Sequence, residues 1–209
     1  MLDFSLYLIT DRMQTSGRPL PDVVVEALRG GLRAVQLREK DLDAGRLFEL
    51  ATELRRLTRT YGAKLLINDR IDVALAVAAD GVHLGKAGLP VAEARRILGR
   101  ERLIGYSAHG ADEALRAQRA GADFVTLGPI YPTPSKDQYG EPLGLNVLAE
   151  AARLLSIPVF ALGGVKRLSV SELLSSGAHG IALISAIISV PNPALETEAL
   201  LRCIARHDV

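Results

Sequence analysis

Gly30-Gly31-Leu32-Arg33-Ala34-Val35-Gln36-Leu37-Arg38-Glu39-Lys40 carries the pattern on which the whole chain is built. Two glycines stop a helical stretch, an apolar run follows, and the run ends on an amide and charged side chains. Glycine closes a helix readily because it tolerates the left-handed conformation there. The same return recurs at Ala79-Asp80-Gly81-Val82, at Gly121-Ala122-Asp123-Phe124-Val125 and at Gly177-Ala178-His179-Gly180-Ile181. Working outward, runs rich in Val, Ile and Leu occupy 5–10, 34–39, 64–68, 81–84, 103–107, 124–130, 159–162 and 180–184. Continuous apolar runs imply strands buried on both faces of a parallel sheet. Helical spacing fills the intervals at 22–29, 44–61, 72–79, 91–98, 112–120, 145–155, 169–176 and 194–206. Eight strand-helix units with short linkers predict a single (βα)8 (TIM) barrel over residues 1–209. The competing open doubly wound sheet lacks its G-x-G-x-x-G signature after the first strand.

Composition narrows the function classes. The chain is 48% hydrophobic and 23% charged, with Lys+Arg 25 against Asp+Glu 24. Near-zero net charge without a basic block argues against nucleic acid or an anionic membrane as partner. No apolar run is long enough to span a bilayer. The opening residues MLDFSLYLITDR lack the features of a signal peptide. Cys203, the single cysteine, excludes an internal disulfide and reads as a small packed residue. A cytoplasmic location is expected, with small molecules as partners and a homodimer as the candidate assembly.

In a (βα)8 barrel the chemistry sits at the carboxyl ends of the strands. Strand alternation sends Gln36, Arg38 and Lys40 to one face and Val35, Leu37 and Glu39 to the other. Adjacent desolvated cations call for an anion, unless Glu39 and Asp41 neutralise them at a solvated strand end. Thr10-Asp11-Arg12 reads as a turn with an internal ion pair. Asn68 and Asp69 are either site residues or caps of the following helix. His83 and His109 could each be satisfied core residues. His109, before Gly110 and a helix start, is the candidate acid/base. The longest connection, 128–144, has the proportions of a lid, and its Thr133, Ser135 and Lys136 suit a phosphate. Gly163-Gly164 and Ser185, after the seventh and eighth strands, form a second anion signal. Two such signals imply two phosphorylated substrates, or one phosphorylated at both ends.

Together the strand ends QLREK (36–40), INDR (67–70), GVHLG (81–85), GYSAH (105–109), GPIYPTPSK (128–136), ALGG (161–164) and ISAI (184–187) resemble the thiamine-phosphate synthase/thiazole tautomerase family. The resemblance implies a transferase that joins hydroxymethylpyrimidine diphosphate to a thiazole phosphate and releases pyrophosphate with Mg²⁺. It implies that Gln36, Arg38, Lys40, Asn68, Ser107 and Lys136 hold the pyrimidine diphosphate and that Asp69 binds the metal. By the same resemblance Thr133, Ser135, Gly163 or Gly164, Ile184 and Ser185 hold the thiazole phosphate. One position departs from the family pattern: Gly88 stands where the synthases carry an aspartate that is a second Mg²⁺ ligand, and Lys86 adds positive charge nearby. The tautomerase branch also lacks that aspartate and would use His109 to move a proton. If the missing carboxylate limits a synthase, Gly88→Asp should raise its turnover. A phosphate-ligand sensor without catalysis is a third reading.

Overall fold

The computed structural model describes residues 2–133 and 141–207. Eight parallel strands close into a barrel in sequence order: β1 (Leu6–Ile9), β2 (Ala34–Leu37), β3 (Lys64–Asn68), β4 (Gly81–Leu84), β5 (Leu103–Ala108), β6 (Phe124–Leu127), β7 (Val159–Leu162) and β8 (Gly180–Leu183). Outside them lie α1 (Leu20–Arg29), α2 (Ala44–Thr60), α3 (Ile71–Ala76), α4 (Val91–Leu98), α5 (Ala111–Arg119), α6 (Gly144–Leu154), α7 (Val170–Ser175), α8 (Ser185–Ile188) and α9 (Pro193–Ala205). The expected barrel is therefore present, with strand and helix bounds mostly within a few residues of the sequence reading. Among the described residues, three short elements escaped it: α8 and two single-turn 3₁₀ segments, Arg12–Gln14 and Arg167–Ser169. Among the described residues, no helix is long and apolar enough to cross a membrane.

Alternation divides the strands between two hydrophobic layers. Leu8, Val35, Leu65, Ile67, Val82, Ile104, Val125 and Ile181 face the helices. Phe4, Tyr7, Ile9, Leu66, Phe124 and Phe160 fill the barrel interior, with Phe4, Tyr7, Phe124 and Phe160 meeting at ring centroids 5.4 to 6.2 Å apart. These four aromatic rings plug the barrel below its carboxyl mouth, so polar side chains from the strand ends stand above an apolar floor.

The repeated returns gain a physical role at the opposite end of the barrel. Asp80 Oδ2 accepts the Leu65 N–H at 2.9 Å and an Arg55 N–H at 2.5 Å. Asp123 Oδ2 does the same for Ile104, at 2.7 Å, and for Arg95, at 2.5 Å. Each aspartate thus satisfies the amide of the second residue of the preceding strand and is neutralised by a helix arginine. The paired charges there serve stability and leave the other end to chemistry.

Candidate active site

At the mouth, Gln36 is buried and its Nε2 donates to Asn68 Oδ1 at 2.9 Å. Asn68 Nδ2 in turn donates to Asp69 Oδ2 at 2.8 Å, and the Gly85 amide donates to Asp69 Oδ1 at 3.2 Å. The three side chains, from β2 and β3, are a connected row. Neither Asn68 nor Asp69 caps α3, whose N-cap is Arg70 and which has no side-chain cap. Asp69 holds φ at 57°, a left-handed conformation that costs energy in a side-chain-bearing residue and clusters at functional positions. Gln36 Oε1 is buried and has no donor among the described residues. A buried acceptor left this way costs on the order of 1–3 kcal/mol until something donates to it.

Arg38 is not neutralised in the manner the solvated-end reading required. Glu39 turns to the other side of the chain, where it is buried and accepts from Thr10 Oγ1 at 2.7 Å, from the Arg12 amide at 3.1 Å and from Arg12 Nη1 at 3.3 Å. Asp41 also takes Arg12, through N–H groups at 2.6 and 2.5 Å. That partnership holds the Asp41 carboxyl down at about 2 and raises the Arg12 guanidinium. Both carboxylates near Arg38 are therefore spent on Arg12, and the internal pair expected between Asp11 and Arg12 is replaced by these longer-range ones. Asp11 instead caps the 3₁₀ turn through the Met13 amide. Thr10 Oγ1 accepts the Arg38 amide at 2.9 Å, which fixes the backbone where β2 ends. Lys40 lies beyond the last strand residue, Leu37, and is exposed.

Beside Asn68, its register partner on β4, sits His83, 1% exposed. Its Nε2 is 2.9 Å from Ser107 Oγ and 3.4 Å from Thr126 Oγ1, and its Nδ1 is 3.3 Å from the Tyr7 hydroxyl. Burial first, and the Arg38 charge second, hold the His83 imidazole down at about 3, so it is neutral. Gly105 makes this possible, since a β-carbon there would stand 2.5 Å from His83 Nδ1 and 2.4 Å from Phe124. Tyr7 and Thr126 were not among the expected site residues. A hydroxyl inside an otherwise apolar strand was the one signal each offered.

His109 is exposed; its Nδ1–H donates to the Gly128 carbonyl at 2.7 Å and its amide donates to Glu113 at 2.8 Å. Glu113 also accepts from Tyr106, whose hydroxyl is pushed up to about 12 by burial and then by that carboxylate. Beyond β6, the amides of Ile130 and Tyr131 continue the pairing onto Leu162 and Gly163 at 2.9 and 3.1 Å. Gly163 and Gly164 have φ of 93° and 66°, and β-carbons there would strike Pro129 and Tyr131, each at 2.6 Å. Close packing against the long connection is thus a second reason for these glycines. Thr133 is half-buried at the edge of the described segment, while Ser135 and Lys136 fall outside the described residues. Ile184 is half-buried above β8, and Ser185, exposed, opens α8. The structure therefore joins Gln36, Asn68 and Asp69 directly, sets Ser107 on the His83 side chain of the neighbouring strand, and places His109, Gly163, Gly164, Ile184 and Ser185 after strand ends at the same mouth.

A second-metal-ligand cluster is absent: among the described residues no group of three or more His, Cys, Asp or Glu could hold an ion. Mg²⁺ commonly takes one or two carboxylates and fills its remaining positions with water and substrate phosphate. Asp69 fits that requirement as a single carboxylate, because each oxygen accepts one hydrogen bond and retains a lone pair.

A sequence profile described as thiamine monophosphate synthase matches residues 6–187. A Geobacter sulfurreducens protein that carries the provisional name thiamine-phosphate synthase is 60% identical over 200 residues, 96% of this chain and 94% of that protein. The Roseiflexus sp. (strain RS-1) thiamine-phosphate synthase is 45% identical over 96% of this chain and 85% of its own length. Among solved structures, a thiamine phosphate pyrophosphorylase from Pyrococcus furiosus superposes with a TM-score of 0.89 at 37% identity, covering 97% of this chain and 96% of that one. The chain belongs to the thiamine-phosphate synthase family.

Proposed function

We propose that the barrel mouth joins hydroxymethylpyrimidine diphosphate to a thiazole phosphate, forming thiamine phosphate and releasing pyrophosphate. The observation that carries this reading is the donorless, buried Gln36 Oε1 beside the Asn68–Asp69 row. An aminopyrimidine supplies an N–H to that acceptor, and its diphosphate suits the cation and carboxylate chemistry alongside. Arg38, Lys40 and Lys136 take the charge of the leaving diphosphate, with Ser107 as a neutral donor. Asp69 would hold Mg²⁺, which when bound would supply further neutralisation of the leaving group. Thr133, Ser135, Gly163, Gly164, Ile184 and Ser185 form the thiazole phosphate end.

In this reading the C–O bond to pyrophosphate breaks, the pyrimidine methylene carries the positive charge, and the thiazole nitrogen donates its electron pair to form the new C–N bond. No protein nucleophile is required. Positioning two substrates, stabilising the departing charge and excluding water supply the acceleration. The location is cytoplasmic in the same reading, in keeping with the lone cysteine. The tautomerase alternative rested on Gly88 and His109, whereas the relatives above carry synthase or pyrophosphorylase names. Purified protein given both substrates and Mg²⁺ should release pyrophosphate and form thiamine phosphate in equal amounts. Isomerisation of the thiazole alone, without pyrophosphate, would contradict the reading.

A further inference from the structure

The Tyr7 hydroxyl is sealed inside the barrel, with no solvent exposure, and burial raises its pKa well above the ordinary phenol range. A buried O–H that donates to nothing carries the full cost of its desolvation, so the phenol must give its proton to an acceptor. His83 Nδ1, 3.3 Å away, is that acceptor. Nδ1 then bears the lone pair, and the neutral imidazole carries its one proton on Nε2. Nε2–H points at Ser107 Oγ, 2.9 Å away, in preference to Thr126 Oγ1 at 3.4 Å. The Thr126 hydroxyl donates to the same Ser107 oxygen at 3.4 Å.

Ser107 Oγ thus accepts from below on two sides and retains one proton of its own. Neither His83 nor Thr126 can take that proton, since both are donating to the serine. The remaining direction is upward, from the penultimate position of β5 into the mouth. The opposite polarity, with the proton on Nδ1, would strand the Tyr7 O–H and turn the serine proton inward onto Nε2. We propose that Tyr7 and His83 are positioning residues that lock Ser107 as a hydrogen-bond donor toward an anionic phosphoryl group in the barrel mouth. The inference rests on the reading of Ser107 as a diphosphate-binding residue and adds a direction to its hydrogen bond.

Two measurements on the intact protein test it. Long-range ¹H–¹⁵N correlation spectra of histidine-labelled protein at neutral pH should place the His83 proton on Nε2, with Nδ1 bare. A proton on Nδ1 overturns the inference. Calorimetric titration with inorganic pyrophosphate and Mg²⁺ supplies the second readout. Tyr7→Phe, which removes one oxygen and keeps the ring packing, should weaken pyrophosphate binding by roughly tenfold, the scale of a hydrogen bond to a charged group. In a Ser107→Ala background the same substitution should cause no further loss. Equal losses in both backgrounds would mean a general packing effect and would overturn the positioning role. Protein that passes both tests yet releases no pyrophosphate from the two substrates supports the inference and sinks the synthase reading instead.

Discussion

A β-carbon at residue 88 would stand 2.4 Å from Asp69 Oδ1, so Gly88 is the space in which the Asp69 carboxylate rests. That oxygen accepts the Gly85 amide, and the chain turns tightly there through a Gly88 amide to Gly85 carbonyl bond of 2.9 Å. The glycine that departs from the family pattern is therefore matched to the carboxylate it faces, and adding an aspartate at 88 does not simply restore a ligand.

Gly88→Ala should push Asp69 off the Gly85 amide and raise the Mg²⁺ concentration needed for half-maximal pyrophosphate release by about tenfold, as displaced outer contacts of metal ligands do. Gly88→Asp should likewise fail to raise turnover, against the expectation from sequence alone. A metal titration of each variant, with thermal melting as a fold control, checks this. An aspartate variant with higher turnover at low Mg²⁺ would show that the site relaxes freely.

His83 should make the protein less stable as the pH falls. Its folded pKa, about 3, lies below the ordinary value, so the unfolded chain binds the proton more readily across the interval between them. Stability is then complete above about pH 6.5 and is lost as the pH drops toward 3, with a loss on the order of 2 kcal/mol by pH 5 from this group. Urea unfolding at pH 7 and pH 5 measures it. His83→Phe should flatten that interval of the profile, whatever its effect at pH 7.

Thr10 joins the Arg38 amide to the Glu39 carboxylate. Thr10→Val keeps the shape, strands the Arg38 amide and leaves Glu39 only its Arg12 donors, which should cost about 1–3 kcal/mol. The urea midpoint should fall at constant slope, and KM for the pyrimidine diphosphate should rise because the backbone carrying Arg38 loosens. Unchanged KM with lowered stability would confine Thr10 to the scaffold.

Gln36→Leu removes a hydrogen bond to Asn68 but also removes an acceptor that has no donor. Stability should therefore shift by about 1 kcal/mol or less, while the loss of a ligand contact should raise KM for the pyrimidine substrate by roughly tenfold. Steady-state kinetics with denaturation separates the two effects. A large stability loss with unaltered KM would mean that Oε1 meets no ligand.

The barrel was legible because its signals are local: apolar runs, helical spacing, and glycines such as Gly31, Gly62, Gly99, Gly121 and Gly177, all of which hold positive φ. The strand-end residues were legible because the fold dictates where strand ends converge. Pairings across the barrel were not. Nothing near Arg12 in sequence announces that it will claim Glu39 and Asp41, and Tyr7 meets His83 across 76 residues. Alternation also failed past Leu37, where β2 ends and Lys40 follows its own turn. The space beside Asp69 belongs to the return of the chain after β4, which no spacing rule encodes.

A crystal grown with pyrophosphate and Mn²⁺ in place of Mg²⁺ tests the central assignment most directly, because manganese gives an anomalous signal that locates it without bias. The expected map holds one metal peak bonded to an Asp69 oxygen and to the diphosphate, with Arg38 against the same anion. A diphosphate bound elsewhere, or a metal that avoids Asp69, would contradict it.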